Sequence, residues 1–231
     1  MNNINKKYIM GKYLGDFVYG ANDGIITTLA VVSGASGASL PEYVVVIMGF
    51  ANLFADGISM GASNFLGTKS EGDYAKAQRD KEVWKIDNQR VDEIEKLRNI
   101  YIKKGFTGEA LSSVIENIIK DKKVWVDTII NEELGIVVDK IDDPRKHAFA
   151  TFIAFVCAGF IPLLPYTFSF SNQFNTSIII GASTLFIVGS LRSIVTSVGW
   201  FRGGIEMLGV GSLAAITAYG IGISIEGLIA R

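Results

Sequence analysis

The sequence predicts an all-α integral membrane protein with five transmembrane helices and a three-helix cytoplasmic insertion between the second and third. Three observations predict it. The 231 residues are 49% hydrophobic, with a mean hydropathy of +0.33, too apolar for an ordinary soluble domain of this length. The near-zero net charge of -1 hides strong segregation. From Gly24 to Thr68 the only acids are Glu42 and Asp56 and there is no base, and from Ala148 onward the only bases are Arg192, Arg202 and Arg231. Residues 69–147, by contrast, are densely charged. Finally, the apolar parts divide into five runs of the length a bilayer needs, about 20 residues each.

In chain order, residues 1–16 form an N-terminal segment with Lys6, Lys7 and Lys12. It has the basic start of a signal peptide, but Asp16 and Asp23 interrupt any apolar core and no small-residue cleavage site follows, so the segment is expected to be retained. Spans one and two, roughly 17–38 and 43–66, lie within residues 17–68 and are separated at Pro41 by a very short hairpin. Spans three to five, roughly 148–168, 176–198 and 204–228, fill residues 148–231. Pro144 precedes the third, Pro162 and Pro165 fall late in it, and Trp200 suits an interface between the last two. Lys6, Lys7, Lys12, Lys69, Arg145, Lys146 and Arg202 gather on one side of these spans, with Arg192 able to reach it, which makes the N-terminus and insertion cytoplasmic and the C-terminus external. Glycine pairs within the spans read as close helix packing. The single cysteine, Cys157, reads as a small core residue.

In the insertion, residues 71–104 read as one long helix with no proline and no glycine after Gly72. Gly105 ends it, Thr107 caps a second helix (TGEALSSVIENIIK), and a third (DKKVWVDTIINEELGI) ends near Gly135. Glu82 and Glu93 are eleven residues apart, close to three turns, with Lys85 and Lys96 on the same stripe. Glu132 and Glu133 close the third helix. Acids from two helices could bind a cation; a solvated face of ordinary Glu–Lys pairs accounts for the same spacing.

Two spans carry polar residues at helical spacing. Asn52, Asp56, Met60 and Asn64 recur every four residues, about 400° per step, and form a slowly rotating stripe. Asp16, Asp23 and Thr27 share one face of the first helix. A carboxylate in lipid costs a few kcal/mol on insertion scales, so such groups face a partner, a cavity or a pathway. Asp23 could be a helix-start or interfacial residue, and Asp56 a hydrogen-bonding partner for a neighbouring helix. Together with Met60 they suggest instead a site for a partly dehydrated first-row dication, with carboxylate and amide oxygens suiting Mn²⁺ or Fe²⁺ and the thioether disfavouring Mg²⁺ and Ca²⁺. Nothing points to an enzyme. His147, the one histidine, sits beside Arg145 and Lys146 and reads as an interfacial anchor, and no basic aromatic platform suits nucleic acid.

The stretches GANDGIITTLAVVSG, ADGISMGASNFLGTKSE, and EELGI followed by ATFIAFVCAGFIPLLP resemble the vacuolar iron transporter family over nearly the whole chain. The resemblance implies a five-span homodimer that moves Fe²⁺ or Mn²⁺ out of the cytosol in exchange for protons, with no permanently bound cofactor. The chain is expected in a prokaryotic plasma membrane, with lipids, divalent ions and protons as its partners. It assigns the translocation path to Asp23 and Met60. Where the family has a second-span Glu this chain has Asn52, and the common Glu after the Met motif reads Asn64; Asp56 is placed to supply the missing charge. The resemblance also implies a metal-binding insertion, matched by Glu82, Glu93 and Glu133. The second member of each long-helix pair, however, reads Lys85 and Lys96, a swing of about four charge units at neutral pH. A one-residue shift of register would pair Asp92 with Glu95. A second expectation of a different class is a non-transporting membrane scaffold or metal sensor whose cytoplasmic helices bind a partner.

Overall fold

The computed structural model describes residues 3–136, 143–194 and 198–229, with side chains from Tyr13 onward. Lys6, Lys7 and Lys12, used above to orient the chain, lie outside the described side chains. The helices are α1 (Asn3–Gly37), α2 (Glu42–Asn88), α3 (Arg90–Lys103), α4 (Gly108–Ile119), α5 (Lys122–Leu134), α6 (Pro144–Phe160), α7 (Leu164–Thr167), α8 (Gln173–Leu191) and α9 (Trp200–Ile229). They form two compact units. The first comprises residues up to Phe65 and from Pro144 on, and the second is Leu66–Asp143.

In the first unit α1 packs against α6, α8 and α9. Ala21, Ile25 and Val32 are fully buried, and Thr28 and Ser33 are buried with them. Small residues permit this close approach. A side chain at Gly20 or Gly24 would strike the α6 backbone at Thr151 or Phe155, and one at Gly37 would strike that of Tyr219 in α9. Four segments are long and apolar enough to cross a membrane: Glu42–Asn88, Pro144–Thr167, Gln173–Ile194 and Trp200–Ile229. The fifth expected span is α1, which does not meet that measure because Asn22, Asp23 and its glycines and serines dilute its apolar content. A helix lined by α6, α8 and α9 has less need to dissolve in lipid, since its neighbours face much of its surface.

The connection after α1 is tight. Ser39 takes a positive φ of 52°, and Leu40 N–H donates to the Ala35 carbonyl at 2.9 Å. Near the end of α6 the two prolines remove N–H donors, and the chain narrows to a 3-10 turn at Ile161–Leu163 before α7. The Ser177 hydroxyl donates to the Pro162 carbonyl at 2.6 Å, tying that turn to α8. Cys157 is exposed rather than a core residue. It follows Val156 and precedes Ala158 on α6, where the buried face is Thr151, Ala154, Phe155 and Ala158.

The second unit has a core of Ile86, Leu97, Leu111, Ile115, Trp125, Val126, Ile129 and Ile130. Residues 71–104 are not one helix. The stretch is the continuation of α2 as far as Asn88, then a break at Gln89 (φ -131°, ψ 43°), then α3. No glycine or proline marks the break. Ile86 and Leu97 lie on either side of it and enter the same core, which is the tertiary demand that a straight helix would have to satisfy from one face. Gly105, at φ 92°, ends α3 as expected. Thr107 occupies the first-cap position of α4, but its side chain makes no cap hydrogen bond. Asp121 caps α5 instead, accepting from the Lys123 and Val124 N–H groups, and Gly135 in the left-handed region closes that helix.

Candidate metal path and the carboxylate cluster of the insertion

On α2 three parallel lines of residues run along the membrane unit. Gly49, Leu53, Gly57 and Gly61 are buried. Gly49 faces the Leu163 side chain, and Gly57 and Gly61 face Phe152, Val156 and the Ala148 backbone. One position back, Asn52, Asp56, Met60 and Asn64 are all half-buried. One further back, Ala51, Ala55, Ser59 and Ser63 are exposed. The polar stripe therefore borders the seam that packs on α6 and opens on its other side to a line of small residues.

On α1, Asn22, Asp23 and Thr27 are half-buried. The Thr27 hydroxyl donates to the Asp23 carbonyl at 2.8 Å, which keeps its polar atom on the helix. The Asp23 and Asp56 carboxylates lie within electrostatic reach of each other. Among the described residues neither has an ion-pair partner. The amide oxygen of Asn22 and the amide nitrogen of Asn52 are buried without hydrogen-bond partners. Sequence reading passed over Asn22, although it sits inside GANDGI beside Asp23. A buried amide with an unmet donor or acceptor is costly; a half-turn of the Asn52 amide would put an oxygen where its nitrogen stands. Carboxylate and amide oxygens are the donors that a divalent cation of oxygen preference takes.

The other two stripe residues divide. Met60 packs at the edge of the cluster formed by Val32, Val45, Leu53, Phe155 and Leu163. Asn64 belongs to a different network. Its amide donates to Asp16 Oδ1 at 2.7 Å and to the Thr151 hydroxyl at 2.6 Å. The other Asp16 oxygen meets His147 Nδ1 at 2.5 Å. The His147 side chain is 12% exposed and its ring lies against Tyr13. Asp16, Asn64, His147 and Thr151 clasp α1, α2 and α6 together. The face shared by Asp16 and Asp23 was the one sign of this in the sequence, since the partners are about 50 and 130 residues away.

In the insertion the expected acids do converge. Glu82 and Glu93 are each 5% exposed. The Lys96 ammonium lies between them, 3.0 Å from Glu82 Oε1 and 3.1 Å from Glu93 Oε2, and 2.9 Å from Glu133 Oε2. Lys85 takes the remaining Glu82 oxygen at 3.0 Å. Glu132 instead pairs with Lys104. Asp92 and Glu95 border a cavity of about 660 Å³ whose wall also carries Lys103 and Lys104. Burial alone would raise the Glu82 carboxyl, but hydrogen bonds from Glu93, Lys96 and Lys85 hold it below its ordinary value. Burial and the neighbouring Glu82 push Glu93 up, against the pull of Lys96. Burial disfavours the charged Lys96, yet Glu133, Glu82 and Glu93 outweigh it and raise the ammonium above its usual range. The i,i+3 Glu–Lys pairs form, but on buried carboxylates rather than on a solvated face. A resident metal ion does not fit here. The place between the carboxylates is filled by an ammonium, and among the described residues no group of three His, Cys, Asp or Glu side chains is arranged to hold an ion.

Four helices long and apolar enough to cross a bilayer mark an integral membrane protein. The profile of the VIT family matches residues 14–223, and the chain belongs to that family. A vacuolar iron transporter of Plasmodium berghei (strain Anka) is 31% identical over 225 residues, covering 93% of this chain and 82% of the relative. Vacuolar iron transporter 1 of Arabidopsis thaliana is 30% identical, with 93% and 86% covered. Vacuolar iron transporter 2 of Oryza sativa subsp. japonica is 26% identical, with 96% and 92% covered.

Proposed function

We propose that this chain carries Fe²⁺ or Mn²⁺ out of the cytosol in exchange for protons, with Asp23 and Asp56 as the groups that hold either cargo. The observation that carries this reading is the pair of carboxylates on α1 and α2 within electrostatic reach of each other and, among the described residues, without an ammonium partner; with the unsatisfied Asn22 and Asn52 amides they would line a groove for the cation. In a medium of low dielectric such charge calls for a cation, and a mobile one is consistent with transport. Asn22 and Asn52 replace water around the partly dehydrated ion. Met60 biases the site toward first-row transition metals. Asn64 holds the Asp16–His147 clasp at one end of the α1 face.

Under this reading α1 is the fifth span, the N-terminus and the insertion face the cytoplasm, the C-terminus lies outside, and the membrane is a prokaryotic plasma membrane. The exposed line Ala51, Ala55, Ser59 and Ser63 flanks the polar stripe. Small residues let a second helix come close and shield the groove from hydrocarbon, which supports a homodimer. The test is uptake of Fe²⁺ (kept reduced), Mn²⁺, Co²⁺ and Zn²⁺ by proteoliposomes, with internal pH followed at the same time. Metal flux with opposing proton movement supports the antiporter. A folded, inserted sample that moves no divalent ion overturns it.

A further inference from the structure

We infer that the Lys96 ammonium is the resident cation of the Glu82–Glu93–Glu133 cluster, so that the insertion folds without a divalent ion and does not respond to one. The geometry supplies the argument. An ammonium has three N–H donors, and Lys96 has one carboxylate acceptor for each, at 3.0, 3.1 and 2.9 Å, from α2, α3 and α5 respectively. Two of those carboxylates are 5% exposed and neighbour each other. Without a cation between them, two buried like charges would drive the helices apart. Both oxygens of Glu82 are taken, one by Lys96 and one by Lys85. A dication entering the cluster would have to displace an ammonium that its own backbone holds in place, at an effective concentration no free ion reaches. It would then sit next to Lys85.

The consequence extends the transport reading and rests on it: metal would reach Asp23 and Asp56 from solution, with no loading step on the insertion. The stability claim stands apart from that reading. Trp84 and Trp125 lie in the insertion, Trp125 within its core, and report its unfolding in the full chain.

The experiment uses the purified full chain in detergent micelles, with thermal unfolding followed by tryptophan fluorescence in EDTA and in Mn²⁺. The wild-type insertion is expected to melt at the same temperature in both. Lys96→Gln should lower that midpoint by several degrees in EDTA and recover it in Mn²⁺, whereas Lys96→Arg should behave as wild type. An unchanged midpoint in Lys96→Gln overturns the inference, as does a wild-type midpoint that EDTA lowers and Mn²⁺ restores. Should Lys96→Gln not fold, Glu133→Gln decides, because Glu133 lies at the exposed rim. Equal Mn²⁺ bound per chain by equilibrium dialysis supports the tethered cation, and one ion fewer than wild type overturns it. Mn²⁺ held in the groove is common to every variant and is removed by Asp23→Ala. Failure of the transport reading would show as absent flux in proteoliposomes, with these melting results unaffected.

Discussion

Asp23 with Asp56 in the membrane unit, and Glu82 with Glu93 in the insertion, are two pairs of neighbouring carboxylates treated in opposite ways. In the insertion two lysines on nearby helical turns reach in and neutralise the pair, and the carboxylates bury. In the membrane unit the residues that share a helix face with Asp23 or Asp56 include amides, a thioether and a threonine whose hydroxyl is already committed to the backbone. None of these can cancel a charge. The first pair carries its own counter-charge, and the second has no ion-pair partner among the described residues, which is what the proposed transport role requires of it. Carboxylates alone do not mark an ion site; what decides is whether the chain brings its own counter-charge.

The comparison can be broken directly. Asp23→Ala should lower metal uptake by proteoliposomes at least about tenfold, equivalent to losing about 1.4 kcal/mol of binding, while Ser183→Ala, an exposed residue whose hydroxyl is bonded to the Ile179 carbonyl, should leave it unchanged. Full uptake by Asp23→Ala would remove the groove from the path. Asn52→Lys converts one kind of site into the other by placing an ammonium one turn from Asp56. Uptake should fall by a similar factor of about ten with the thermal midpoint of the membrane unit preserved, and unimpaired flux would show that the groove is not where the cation binds.

Smaller effects sharpen the contrast. Gly24→Ala puts a methyl group against the Phe155 carbonyl and should destabilise the α1–α6 contact by about 1–3 kcal/mol, read as a lower midpoint of the membrane unit. Acid should act on the insertion in two opposite steps. Glu82 titrates below its ordinary value of 4.5, so its contribution is complete above that pH and is lost as pH falls through the folded value. Glu93 titrates above 4.5, so its contribution has the opposite sense and is lost as pH rises. On acidification tryptophan fluorescence should therefore report a slight gain in the stability of the insertion as Glu93 takes up its proton, then a loss below about pH 4.5 as Glu82 is protonated; a loss that is complete above that pH would contradict the assignment. Met60→Leu conserves volume and should cost less than about 1.5 kcal/mol of stability, shifting only the preference between transition metals and Mg²⁺ in competition uptake.

Much of the fold is legible in the residues. Long apolar runs, their charge-free interiors and the Gly105 and Gly135 stops follow from chemistry that acts within a few residues. The polar stripe of α2 is legible too, because four-residue spacing places Asn52, Asp56, Met60 and Asn64 on one side of any helix. The break at Gln89 is not, since no local breaker marks it and the cause is a core that Ile86 and Leu97 must both enter. Nor is the role of His147, whose partners lie on other helices. Cys157 misled for a related reason: in a membrane bundle an apolar residue is as much at home facing lipid as facing the core, so composition does not give its direction.

The residues alone thus gave the helical segments, the stops marked by glycine, and the charges in apolar surroundings, because these depend on local backbone preferences and on the cost of moving polar groups out of water. Only the tertiary structure decided which charges meet. It joined Asn64 to Asp16 and His147 rather than to the groove, left the Asn22 and Asn52 amides unsatisfied, and set Lys96 among three carboxylates. Electrostatic interaction depends on distance through space and on burial, and neither is written in the spacing along a chain.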